Sequence, residues 1–144
     1  MNRATFLLVE DDPQAVILLR RIFKRRAQDV TITVASDGAE ALQYLTGTPT
    51  EGQYLQELPA LVLLDLDLPK VHGLEVLRRI RAHPRTKTLP VIILTSDREV
   101  DAVTGYTLGA NSFMRKPFSF DEFTRTLVAI QCGVFVDLTG RKNN

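Results

Sequence analysis

The sequence predicts a doubly wound α/β fold on a five-stranded parallel sheet, and three observations point there. Short apolar runs recur at 5–9 (TFLLV), 30–35 (VTITVA), 60–64 (ALVLL), 91–94 (VIIL) and 112–115 (SFMR). Amphipathic stretches with helical spacing fall between them, the alternation of βα units that feed a parallel sheet. The first, third and fourth runs are apolar at nearly every position, as strands covered by helices on both faces must be.

Each element has a local reason. After the first strand, Ala15, Leu18, Leu19, Ile22 and Phe23 repeat at i, i+3, i+4, i+7 and i+8, while Arg20, Arg21, Lys24 and Arg25 take the opposite side. That is a helix with one apolar face. In the second run Val30, Ile32 and Val34 alternate with threonines, so this strand reads as a sheet edge. Asp37 with Glu40 suits a capped second helix. Residues 46–59 form a longer connection rich in turn formers, and Val76, Leu77 and Ile80 mark a third helix. A fourth, about residues 99–108, is the least apolar. The S-x-x-E sequence Ser119 to Glu122 has the form of a capping box, and it opens a last helix with Phe120, Phe123, Leu127 and Ile130 on one stripe.

The chain's 144 residues leave room for one domain, expected over 1–131, with a tail at 132–144 and no output domain. Hydrophobic residues at 44% and charged residues at 24% suit a globular core and exclude disordered or disulfide-framed classes. Eighteen Lys+Arg against 17 Asp+Glu leave a net charge of +1, so no global field draws the domain to nucleic acid or an anionic membrane. Cys132 alone cannot form an internal disulfide, no signal-like apolar stretch follows Met1-Asn2-Arg3, and no run approaches the ~18–20 apolar residues of a membrane span. A cytoplasmic protein is expected.

In an open parallel sheet, ligands bind outside the carboxyl ends of the strands. Four of the five ends are chemically loaded: Glu10, Asp11 and Asp12 after the first, Asp65 and Asp67 after the third, Thr95 and Ser96 after the fourth, and Lys116-Pro117 after the fifth. Gathered carboxylates repel one another unless a cation joins them, and Mg²⁺ with its preference for carboxylate, water and phosphate oxygens fits. Lys116 would balance a phosphoryl group from the other side. Asp65 suits conversion to an acyl phosphate, and Thr95 offers a hydroxyl to a phosphoryl oxygen. Taken singly, each residue has a plainer role: Asp12 precedes Pro13 as a helix cap would, and Thr95 and Ser96 suit a turn.

The combination resembles the receiver domain of two-component response regulators over almost the whole chain. Leu7-Leu8-Val9-Glu10-Asp11-Asp12 is similar to the acidic segment of that family, with Glu10 and Asp11 as the pair. Leu63-Leu64-Asp65-Leu66-Asp67-Leu68-Pro69 followed by Gly73 is similar to the phosphoacceptor segment, Thr95-Ser96 to the hydroxyl and small-residue pair, and Lys116-Pro117-Phe118 to the basic turn. The resemblance implies a flavodoxin-like (βα)5 fold with strand order 2-1-3-4-5. It implies Mg²⁺ held by Asp11, Asp65 and the main-chain carbonyl of Asp67, with Glu10 acting mainly through water. It further implies phosphate received on Asp65 from a sensor histidine kinase, and a cis Lys116-Pro117 peptide. Phe113 stands where many members carry a rotating aromatic switch, and lacking a hydroxyl it would switch by packing. His72 stands where an acidic residue is common; it reads as an exposed side chain, with a pH-dependent modifier as the alternative. Asp67 and Asp97 stand where members tune loss of the phosphoryl group.

A narrower resemblance, through the 46–59 connection, the segment Asp65-Leu66-Asp67-Leu68-Pro69-Lys70, the expected lack of an output domain and the 134–138 tail, is to the small regulators that partner cyanobacterial bacteriophytochrome-type kinases; it implies a homodimer. The apolar run Val134-Phe135-Val136 places Phe135 and Val136 in the expected interface, extending the face of the fourth helix, fifth strand and last helix, with packing of the run on its own domain as the alternative. An enzyme alternative competes. Asp65-Leu66-Asp67 also fits the D-x-D of haloacid-dehalogenase-like phosphatases, with Asp65 as nucleophile and Asp67 as acid, although that family begins with its D-x-D and here an acidic pair precedes it. The basic residues of 20–26 and 78–81 come with no nucleic-acid recognition motif, and the first helix reads better as a face that docks a kinase.

Overall fold

The computed structural model describes residues 4–26, 30–47, 57–66, 68, 71–96 and 108–130. Its elements are β1 (Ala4–Val9), α1 (Pro13–Arg26), β2 (Val30–Ala35), α2 (Gly38–Thr46), β3 (Leu61–Asp65), α3 (Gly73–Ala82), β4 (Val91–Thr95), β5 (Ser112–Arg115) and α4 (Phe120–Ala129). All strand pairings are parallel, in the order β2-β1-β3-β4-β5, as expected. The threonine-bearing β2 is indeed an edge. Of the expected helix at about 99–108 only Leu108 is among the described residues; Asp67, Asp97 and the whole tail with Phe135 and Val136 lie outside them.

The nearly all-apolar strands serve two cores, because successive side chains point to opposite sheet faces. Phe6, Leu8, Leu63, Ile92 and Leu94 face Leu19 and Phe23 of α1 and Phe123 and Leu127 of α4. Leu7, Val9, Val62, Leu64 and Ile93 face Ala41 and Leu45 of α2 and Val76, Leu77 and Ile80 of α3. Phe23 is the hub of the first core, its ring edge-on to Phe123 at 5.1 Å, Phe6 at 5.8 Å and Phe120 at 5.9 Å. Leu18 is a correction. Expected on the apolar stripe, it is 55% exposed, because the buried line of α1 runs through Leu19 and Phe23, and residue 18 is turned about 100° from Leu19.

Caps set where the helices begin. Asp37 accepts from the Glu40 amide at 2.8 Å, and Ser119 and Glu122 form the full capping box of α4. At the opposite end of the sheet from the loaded residues, Arg81 holds three segments together. It donates from Nε to the Gly109 carbonyl, from Nη1 to the Leu89 carbonyl and from Nη2 to Asn111 Oδ1, at 2.9, 2.7 and 2.9 Å. Asn111 Oδ1 also accepts from the Val91 amide at 2.8 Å, at the first residue of β4. Gly109 has φ +107°, and a Cβ there would lie 2.9 Å from Arg81 Nε, so both backbone conformation and space require glycine.

Candidate functional site

Glu10, Asp11, Asp65, Thr95, Ser96 and Lys116 fall at or just past the carboxyl ends of their strands, whereas Phe113 is the second residue of β5. The Glu10 amide donates to the Ala35 carbonyl at 3.0 Å, which carries the β1 ladder one residue further and turns the Glu10 side chain inward, where the residue is 3% exposed. Asp11, next along, is exposed. Asp12 takes its plainer role: Oδ1 accepts from the Gln14 amide and its carbonyl from the Val16 amide, which starts α1. Asp65 and Thr95 are the last residues of β3 and β4, and each strand runs one residue past the expected end. Both are buried, whereas Ser96 is exposed. The Lys116 amide donates to the Thr95 carbonyl at 2.8 Å, so the backbone of the fifth strand end is tied to the fourth; the Lys116-Pro117 peptide is cis.

Lys116 Nζ lies 2.9 Å from Glu10 Oε1, as donor, and 3.4 Å from Asp65 Oδ1. Burial works against its charge, but the hydrogen bond to Glu10 and the negative charges of Asp65 and Glu10 outweigh it and hold the ammonium above the ordinary lysine range. This direct Glu10–Lys116 bond was not legible in the sequence, which assigns the two residues separate partners. Carboxylate oxygens of Glu10, Asp11 and Asp65 all lie within 4.8 Å of one another. Three carboxylates against one ammonium leave the cluster two charges negative. An all-oxygen donor set with that residual charge fits a hard divalent cation.

The backbone behind Asp65 is equally constrained. The Leu66 amide donates to the Leu94 carbonyl at 3.2 Å, and the Gly73 amide to the Leu66 carbonyl at 3.1 Å. A Cβ on Gly73 would come within 2.6 Å of the Asp65 carbonyl oxygen, so the start of α3 is pressed against the aspartate's own backbone. His72, expected only to be exposed, is exposed and also caps α3: its Nδ1 accepts from the Leu74 amide at 3.1 Å. Histidine is outside the usual capping set of Ser, Thr, Asp and Asn, which is why its role was missed. Phe113 is half-buried against the core beneath α2 and α3. Beside Lys116 and Glu10 a cleft of about 450 Å³ runs along α1, lined by Leu8, Leu19, Leu94 and Phe118.

The profile of the response regulator receiver domain matches residues 6–128. The chain belongs to that family. Among its relatives, the Probable methanogenesis regulatory protein FilR2 of Methanothrix harundinacea is 40% identical over 126 residues, 87% of this chain and 79% of that protein. Response regulator Rcp1 of Synechocystis is 33% identical over 127 residues, 87% of this chain and 84% of that protein. The chain spans only 45% of a longer relative, the alkaline phosphatase synthesis transcriptional regulatory protein SphR of Synechococcus elongatus. Among solved structures, the bacteriophytochrome response regulator AtBRR superimposes with a TM-score of 0.79 at 38% identity, covering 92% of this chain and 95% of that one. The Mn²⁺-bound form of Rcp1 superimposes with a TM-score of 0.73 at 29% identity, covering 97% of each chain. The receiver assignment does not favour the phosphatase alternative. Among the described residues no helix is long and apolar enough to cross a membrane.

Proposed function

We propose that this receiver domain acts in a cytoplasmic response regulator and accepts a phosphoryl group on Asp65 from a sensor histidine kinase. The observation that carries this is the placement of Lys116 Nζ 2.9 Å from Glu10 and 3.4 Å from Asp65, beside the three-carboxylate cluster. One Asp65 oxygen attacks the phosphorus, the bond from phosphorus to the donor histidine nitrogen breaks with its electron pair returning to the imidazole, and an acyl phosphate remains. Lys116 and the Thr95 hydroxyl stabilise the phosphoryl oxygens, with Ser96 leaving room beside them. Glu10, Asp11, Asp65 and the Asp67 carbonyl would hold Mg²⁺, which supplies the positive charge that lets an anionic donor approach an anionic nucleophile. The same groups let the protein assist its own phosphorylation and dephosphorylation. Phe113 transmits the change by repacking.

The likeness to the bacteriophytochrome response regulator AtBRR supports a phytochrome-type kinase as the donor, and the apolar run with Phe135 and Val136 supports a homodimer. The test is incubation with acetyl phosphate and Mg²⁺, read by intact mass. Wild type gains one phosphoryl group and Asp65→Asn gains none; equal labelling of the two would overturn the assignment. Labelling is also expected to stop in excess chelator, and persistence there would refute the metal site. For the dimer, sedimentation should show a species that weakens on Phe135→Asp.

A further inference from the structure

We infer that His72 is a pH-sensitive N-cap: with its ring neutral it secures the start of α3 against the turn behind Asp65, and on acidification it releases that start. Its consequence for phosphoryl loading rests on Asp65 being the acceptor; the cap itself does not.

The geometry carries the inference. His72 Nδ1 accepts the Leu74 amide at 3.1 Å, and the backbone beyond it starts the helix, with the Glu75 and Val76 amides both donating to the His72 carbonyl at 3.0 Å. A ring nitrogen accepts only while it carries no proton, so this contact needs the neutral imidazole protonated on Nε2. An Asp or Asn cap would keep its acceptor throughout the neutral range, whereas an imidazole changes charge between about pH 5 and 8. Protonation here turns the acceptor into a donor facing another donor. It also sets a positive charge at the positive end of the helix dipole.

Among the described residues no charged group of α2 or α3 bonds to the ring, and the carboxylate of Asp65, behind the turn, lies 3.4 Å from Lys116 Nζ. Glu75 is held by Arg78 and by Arg79, the latter at 2.9 Å. Asp37 and Glu40, at the start of α2 where Gly38 meets Val71, accept from the Glu40 and Ser36 amides. The chain's other histidine, His83, also accepts a backbone amide, from Arg85 at 3.1 Å, but it stands at the C-terminal end of α3, away from the turn behind Asp65.

What lies behind the cap makes the release consequential. The Gly73 amide holds the Leu66 carbonyl, and the Gly73 Cα sits so close to the Asp65 carbonyl that a Cβ would be at 2.6 Å. Loosening the first turn of α3 therefore loosens the backbone next to the acceptor.

The experiment compares wild type, His72→Asn and His72→Ala at about pH 8 and about pH 5.5, the span over which imidazole titrates. Amide hydrogen exchange at Leu74 is measured and corrected for the intrinsic pH dependence of exchange. Wild-type protection is expected to fall roughly fivefold on acidification, the effect of losing one cap. The Asn variant should keep its protection at both values, and the Ala variant should lack it at both. Wild-type protection that does not fall, or that falls in parallel with the Asn variant, would overturn the cap inference. Acetyl phosphate labelling of the same proteins should show wild type slowing relative to His72→Asn at the lower pH; equal slowing would overturn the link to the acceptor. No label on any of the three at either pH would instead refute Asp65 as acceptor, and the exchange result would still decide the cap.

Discussion

Replacing Lys116 by methionine keeps the length and apolar stem of the side chain and removes one charge. The cost follows from what remains: Glu10 and Asp65, with side chains 2% and 4% exposed, lose the ammonium that sits 2.9 and 3.4 Å away. Removing one partner of a fully buried ion pair costs about 3–5 kcal/mol. Lys116 is 24% exposed, so water screens part of its interaction, and about 2–4 kcal/mol is the reasonable expectation here. With a urea slope of about 2 kcal/mol/M for a domain of this size, the midpoint in chelator should fall by about 1–2 M. Excess Mg²⁺ should recover part of that loss, because a divalent cation replaces the missing charge. The pH dependence has a definite sign. The folded pKa of Lys116 is raised, so its contribution is complete below the unfolded lysine value of about 10.4 and is lost as pH climbs through the higher folded one. The stability gap between wild type and variant should stay constant through neutral pH and close only in strong alkali. An unchanged or increased midpoint for Lys116→Met in chelator would refute the view that this ammonium holds the carboxylates together.

Other perturbations discriminate between parts of the structure. Asp65→Asn, besides abolishing labelling, should raise stability in chelator by about 1 kcal/mol, since it removes one of three mutually repelling carboxylates; urea unfolding with and without Mg²⁺ reads this, and the gain should vanish in Mg²⁺. Phe23→Ala should cost about 3–5 kcal/mol by emptying the hub of the aromatic core, whereas Leu18→Ala, at an exposed position of the same helix, should cost under about 0.5 kcal/mol; calorimetry of both checks the corrected face of α1. Gly73→Ala should slow labelling and lower the unfolding midpoint together, because the added methyl meets backbone oxygen and no flexible side chain can give way.

Much of the fold was readable because its signals are local and repeated. Val91 to Leu94 is apolar at every position, so helices had to lie on both sides, and Ile92 and Ile93 do go to opposite cores. The alternating threonines of Val30–Ala35 marked the edge for the same reason. The site was readable as a set, since strand ends in a parallel sheet converge whatever their separation in sequence. What was not readable depends on side-chain reach and rotation. Leu18 fits the spacing of the apolar stripe, yet one step of helical rotation from Leu19 carries it into solvent. Glu10 has one more methylene than an aspartate, and that reach lets it bond directly to a lysine 106 residues away. Nothing in either local sequence announces the partner.

The guanidinium of Arg81 works at the end of the sheet away from the chemistry. Its three hydrogen bonds, to Gly109, Leu89 and Asn111, join the end of α3 to the entries of β4 and β5. A lysine could not reproduce that planar fork, and any side chain at residue 109 would collide with it. Variation among descendants of this sequence should therefore be unequal. Exposed positions near the strand ends that carry the chemistry can change to suit new partners, while positions 81, 109 and 111 at the far edge must change together or not at all. A survey of tolerated substitutions would find a trio of fixed residues distant from any bound group, and their constancy would record joinery in place of catalysis.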